Sequence, residues 1–150
     1  SSAASDVYKR QIKITFRYEI PDYALKGEKE MFFRPLVMNN LYNQVRSYLR
    51  IDTSLKERKY GFKDGCSRLV ELDETIQLPA GYKLANADKN ETMQGTGADF
   101  EGSLAQQGNK VLLHNKLALK KRVYEAADWD SFRNAVNAHK AYGEYLVIKK

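Results

Sequence analysis

From Ile12 the chain alternates: Ile12, Ile14, Phe16, Tyr18 and Ile20 take every second place, with Lys13, Thr15, Arg17 and Glu19 between them. Side chains two apart share one face of an extended backbone, so this run predicts a β-strand with one buried side, closed by Pro21-Asp22. The period returns further on. Val70, Leu72, Ile76 and Leu78 occupy even positions, with Glu74 interrupting, and predict a long strand from near Cys66 to Pro79. Ala98 to Ala105 and Lys110 to Tyr124 flank Gln106-Gln107-Gly108-Asn109, whose glycine and asparagine are suited to the positive φ of a hairpin loop.

Other segments carry weaker patterns. Lys29 to Val37 predicts a strand in which Pro35, lacking an N–H, marks an edge or a bulge. Between Asn39 and Lys59, Leu41, Val45 and Leu49 have helical spacing, yet the β-prone side chains favour a strand from Val45 to Ile51. Pro79 to Leu84 reads as a turn into a short strand, and the polar stretch from Asn86 to Gly97 as a mobile loop.

Near the C-terminus the period changes. Asp128 is placed to cap a helix, after which Trp129, Phe132, Val136 and His139 form one stripe, while Asp130, Arg133, Asn134 and Asn137 face away. Gly143 is placed to end the helix in the left-handed conformation, and Tyr145 to Ile148 form a closing strand. The pattern predicts a mostly-β fold, an Ig-like antiparallel β-sandwich truncated at its N-terminus, with one C-terminal α-helix followed by a final strand.

Ser1 to Gln11, SSAASDVYKRQ, resembles a translated transposase-tagging adapter of the kind used in sequencing libraries. The expected organisation is therefore a non-native segment, residues 1–11, and a β-sandwich domain, residues 12–150, that forms the C-terminal piece of a longer protein. The 150 residues, 43% of them hydrophobic, suffice for one domain with a proper core. A single cysteine, Cys66, cannot form an internal disulfide, and no apolar run is long enough for a membrane span.

Few residue types for chemistry are present. A nucleophilic cysteine needs a base and an orienting group, and Cys66 has only His114 and His139 to draw on, with no local signature joining them. Cys66 is expected to be a half-buried thiol at a strand start, and the two histidines surface or boundary residues; neither has a second ligand at metal spacing. Gly95, Gly97 and Gly102 fail the dinucleotide pattern, because Phe100 stands where its third glycine belongs, and read as part of a flexible loop. Asn90-Glu91-Thr92 matches a glycosylation acceptor, a three-residue pattern that chance supplies often. Lys120-Lys121-Arg122 raises nucleic-acid binding, but acidic residues are spread through the chain, and a solvated strand end explains three basic residues. No catalytic, cofactor-binding or metal-binding residue is expected.

Three stretches together resemble a known family: ITFRYEIPDYALKGEKEMFFRPLV; ERKYGF with ETIQLPAGYKL; and LALKKRVYEAADWDSFRNAVNAHKAYGEYLVIKK. They are similar to the C-terminal β-rich region of large bacterial transglutaminase-like proteins, common in Bacteroidota, in which a β-sandwich and a papain-like core with Cys, His and Asp precede a domain of unknown function. The most specific matches are Leu78-Pro79-Ala80-Gly81-Tyr82, resembling the family's LPxGY turn, and the Trp129, Phe132, Arg133 pattern. Trp129 stands where the family often has tyrosine, and a proline common after Tyr82 is missing. The resemblance implies a non-catalytic domain of a periplasmic or cell-surface protein, with the upstream core as its partner and none of that core's functional residues in this chain. The alternative expectation is an independent carbohydrate- or protein-binding module, with no cofactor and no nucleic acid as partner.

Overall fold

The computed structural model describes residues 19–39, 52–85 and 88–150. Residues 1–11, the run from Ile12 to Tyr18 and the strand expected over Val45 to Ile51 lie outside them.

The alternating segments pair into an antiparallel sheet of four strands in the order β4-β8-β7-β6: β4 is Arg68–Gln77, β6 Lys89–Met93, β7 Ala98–Gln107 and β8 Lys110–Leu119. The register sets one face apolar, because Val70 opposes Leu117, Ile76 opposes Val111, and Leu104 opposes Leu113. Val111, Leu113, Leu117 and Leu119 are buried, whereas Leu112, His114, Lys116 and Ala118 on the opposite face are only partly covered. The hairpin between β7 and β8 turns on two residues, Gly108 and Asn109. Gly108 has φ 61° and Asn109 a negative φ, so glycine alone supplies the positive angle, at the first central position as in a type II′ turn.

A second four-stranded sheet has the order β1-β2-β10-β5, with β1 Leu25–Lys26, β2 Glu30–Phe33, β5 Lys83–Leu84 and β10 Leu146–Lys149. The closing strand sits inside this sheet, with Ile148 opposite both Met31 and Leu84. Phe33, Leu146 and Ile148 join the same buried cluster as the large sheet's inner face. A two-stranded ribbon joins β3, Phe62–Lys63, to β9, Val123–Tyr124.

Helix α1, Trp129–Ala141, completes the layer over the large sheet, packing on β7 and β8. Trp129, Phe132, Ala135, Val136 and His139 are buried, and Asp130 and Asn134 are exposed, as the stripe predicts. Phe132 is the hub: its ring centroid lies 5.0 Å from both Phe62 and Tyr124. The mostly-β class, the antiparallel pairing, and the C-terminal helix followed by a strand are therefore as expected, with sheet and helix sharing the second layer.

Several local expectations are corrected. β2 ends before Pro35, and residues 36–39 are helical, because Leu36, Val37 and Met38 donate their amide N–H groups to the Glu74 carboxylate. That carboxylate caps the start of a helix from a strand far away in sequence, where neither partner shows the other. The stretch from Asn86 to Gly97 is not wholly loop, since β6 falls within it. The run after the hairpin breaks at Leu119, and Val123–Tyr124 leaves the large sheet for β3. Asp128 does not cap α1 with its side chain; it accepts instead from Lys121 Nζ at 2.7 Å and from the Glu125 amide at 2.9 Å. Gly143 follows the helix without a positive φ, its N–H closing the last turn onto Lys140 O.

Candidate functional site

The residues with nucleophilic or basic chemistry are held apart by the large sheet. Even positions of β8 point to its outer face, which puts His114 there, while α1 lays His139 against the inner face. Cys66 is exposed and precedes β4 rather than starting it, which corrects the half-buried thiol. Along β4, Arg68 to Asp73 alone spans ~17 Å at 3.3–3.4 Å per residue, and Asp73 is the residue opposite His114. The sheet thus brings none of the three residues together.

His139 is a core residue, not a boundary one: it is fully buried, and its Nδ1 is hydrogen-bonded to Asn115 Oδ1 on β8. Burial makes the imidazolium costly and pushes the pKa down from 6.5 to about 4, so the ring is neutral at pH 7. Tyr142, one turn on, is pushed up to about 12, by burial first and by the Glu91 carboxylate second. Its ring touches the place where Gly102 would carry a side chain, so that glycine is there for close packing.

The two other glycines weighed as a phosphate loop have a similar role. A Cβ on Gly95 would lie 2.2 Å from Ser131 Cβ, and one on Gly97 2.8 Å from Asp128 O. Gly97 N–H donates to Ser131 Oγ at 2.9 Å, and Lys120 Nζ donates to Gly95 O at 2.8 Å. The loop is fastened to the start of α1, so its amides are committed, and the flexible reading is corrected. The basic cluster is also partly neutralised. Lys120 pairs with Asp99 at 2.7 Å and Lys121 with Asp128 at 2.7 Å, and the Lys121 ammonium, with Thr96 second, holds the Asp128 carboxyl down to about 2.

Register creates one array that spacing in the sequence hides. Asp73, His114, Ser103 and Asn90 stand in a row across the outer face, with Asp73 Oδ1 2.8 Å from His114 Nδ1. Acid, imidazole and hydroxyl in line is the order of an acyl-transfer site, but the hydroxyl must reach the ring and two N–H groups must converge on an oxyanion. Among the described residues Ser103 has no hydrogen bond to His114, and β7 is paired on both sides here, which commits its amides to the ladders. The row is a surface hydrogen bond between Asp73 and His114 with polar neighbours. Among the described residues no group of three or more His, Cys, Asp or Glu side chains is placed to hold a metal.

Two adjoining hollows, of 470 and 600 Å³, lie between the end of β4 and the second sheet. Both are lined by Ile20, Tyr23, Phe33, Ile76 and Gln77. At the rim Tyr23 donates its hydroxyl to Arg34 O at 3.0 Å, and the Arg34 guanidinium stacks 4.4 Å above the Tyr145 ring. The smaller hollow is mostly apolar and the larger adds Glu19, Arg34 and Glu74, a mixed surface that suits contact with a protein segment or a flat ligand, and neither motif nor composition singles out these residues. No described helix is long and apolar enough to cross a membrane.

These features define a mostly-β domain of antiparallel sheets with one C-terminal helix and a final strand. Residues 29–147 match DUF3858, a domain of unknown function with a solved structure, and the chain belongs to that family. Its fold is similar to part of the crystal structure described as a "putative protease" from Parabacteroides distasonis ATCC 8503, with a TM-score of 0.55 and 16% identity over 65% of this chain. The chain spans 20% of that protein's length. No curated protein is similar enough to count as a match.

Proposed function

We propose that this chain is the non-catalytic C-terminal domain of a transglutaminase-like protein, exported to the periplasm or cell surface, where it packs on the catalytic core or presents a partner to it. The observation that carries the reading is the likeness to a fifth of a longer protein described as a "putative protease", since proteolysis and transglutamination both begin with attack on an amide carbonyl. The sequence resemblance points the same way, and the separation of Cys66, His114 and His139 supports a core located elsewhere in the protein. The aromatic rim at Tyr23, Arg34 and Tyr145 favours a second reading, an independent module for carbohydrate or protein.

The test has two arms. Sequencing upstream from the same source DNA should recover a core with a cysteine followed by histidine and aspartate; an intact reading frame without one overturns the transglutaminase assignment. Purified chain should show no acyl transfer with glutamine-donor or peptide substrates. Turnover that disappears in Cys66→Ser would overturn the non-catalytic assignment.

A further inference from the structure

The segment 58–64 is held down at three points. The Arg58 guanidinium lies 4.8 Å from the ring centroid of Phe62 and 4.5 Å from that of Trp129, and Phe62 stacks on Tyr124 at 4.6 Å. Asp64 is buried and pairs with Arg68 at 2.7 Å. β3 is paired with β9, and the Asp64 N–H donates to Arg122 O at 2.9 Å, so both strands of the ribbon are fixed on the ring cluster.

The side chains between these points are left to solvent. Tyr60 is 82% exposed and Val123 62%, and Val123 stands opposite the exposed Lys63. Lys59, Lys63 and Arg122 are exposed and have no ion pair among the described residues, whereas Lys120 and Lys121 are committed to Asp99 and Asp128. A fixed backbone that holds out a tyrosine, a β-branched residue and three cations offers apolar area and charge together, with little of its own order left to be gained on binding.

We propose that the β3–β9 ribbon is a docking surface for a second protein, one that presents an acidic surface with an apolar residue within it. Charge selects this occupant. The unpaired cations favour an anionic partner, yet Glu57 and Glu125 are exposed on the same two segments. A phosphate polymer or an anionic lipid surface carries one sign throughout and would meet both carboxylates, whereas a protein can set a basic or neutral residue against them. A second copy of this chain fits poorly, because a two-fold contact would turn the cations of one ribbon onto those of the other. The inference holds whether or not the domain is joined to a catalytic core.

Amide chemical shifts of the full chain, followed during titration at low salt with a short glutamate-rich peptide carrying one leucine, test this. The changes should be confined to residues 59–63 and 122–125 and should fade as salt is raised. Lys63→Glu combined with Arg122→Glu should weaken binding by about tenfold or more, and Tyr60→Ala by about fivefold. All three side chains are exposed, so these variants keep the fold. Lys110→Glu, at the far end of β8, should leave the affinity unchanged. The proposal is overturned by absence of binding, by shifts scattered over the other lysines, by an affinity that the double reversal leaves intact, or by an equal loss in Lys110→Glu. Tighter binding of polyphosphate or of phosphatidylglycerol vesicles at the same residues would reassign the ribbon to a phosphate-bearing ligand and overturn it as well.

Discussion

Acidifying the protein should unload stability through one side chain before the carboxylates take part. His139 is fully buried against Asn115 and near the Phe100 ring, and its pKa is depressed from 6.5 to about 4. Above pH 6.5 neither folded nor unfolded chain holds the extra proton, and the full stability is present. As pH falls below 6.5 the unfolded chain takes up a proton that the folded one refuses, so stability is lost until the folded pKa near 4 is passed. At ~1.36 kcal/mol per pH unit the loss across this window is about 3 kcal/mol, a large share of the roughly 5–15 kcal/mol that holds a domain folded. Urea unfolding of the parent chain and of His139→Asn, between pH 7.5 and pH 4, isolates the term, because asparagine can still donate toward Asn115 and does not titrate. The stability difference between parent and variant should shrink by about 3 kcal/mol on going down in pH. Parallel stability curves would refute the burial argument. Asp128 does not confuse the window: its depressed pKa gives stability above 3.8 that is lost only as pH falls through about 2.

Phe132→Ala empties the middle of the Phe62, Tyr124 and Trp129 ring cluster and should cost about 3–5 kcal/mol, read as a midpoint fall of roughly 6–20 °C in thermal unfolding. Glu74→Ala leaves the amides of Leu36, Val37 and Met38 without their acceptor and should cost at least about 2 kcal/mol in urea unfolding, whereas Glu71→Ala on the outer face should stay within ~0.5 kcal/mol. Gly102→Ala would set a methyl carbon 2.6 Å from ring atoms of Phe100 and Tyr142, and should cost about 1–3 kcal/mol by the same measurement; a neutral outcome would mean that the α1–β7 contact is looser than described.

The sheet was legible where one physical cause dominates. In β4 and β8 a buried face and a wet face impose period two over ten residues each, and the C-terminal stripe from Trp129 to His139 imposes its own period, so both kinds of element can be read directly. Short strands are harder to see. β6, KNETM, has one apolar residue in five and holds its place by pairing with β7, a cause absent from its own sequence. Residues 36–39 failed for a related reason: their helix start is satisfied by Glu74, 36–38 positions away. Asp128 shows the opposite error. A local rule assigned it to the amides of its own helix, but Lys121, brought close by the break after β8, competes for the carboxylate and wins with a charge-assisted bond.

Site chemistry is less legible still, because it depends on register rather than spacing. Asp73 and His114 are separated by 41 positions and meet at 2.8 Å, while His114 and His139, which look alike in the sequence as lone imidazoles on periodic segments, finish on opposite faces of one sheet. That difference in burial decides their chemistry. His114 pairs with a solvent-exposed carboxylate, and His139 is buried as a neutral ring hydrogen-bonded to the Asn115 amide. Gly95, Gly97 and Gly102 make the same point, since a glycine-rich stretch that suggests a ligand loop is there to admit Ser131, the Asp128 carbonyl and the rings of Phe100 and Tyr142. His139 and these glycines are thus spent on internal fit, whereas Cys66 and His114 lie at the surface, and among the described residues the edge of β4 away from β8 has no strand beside it.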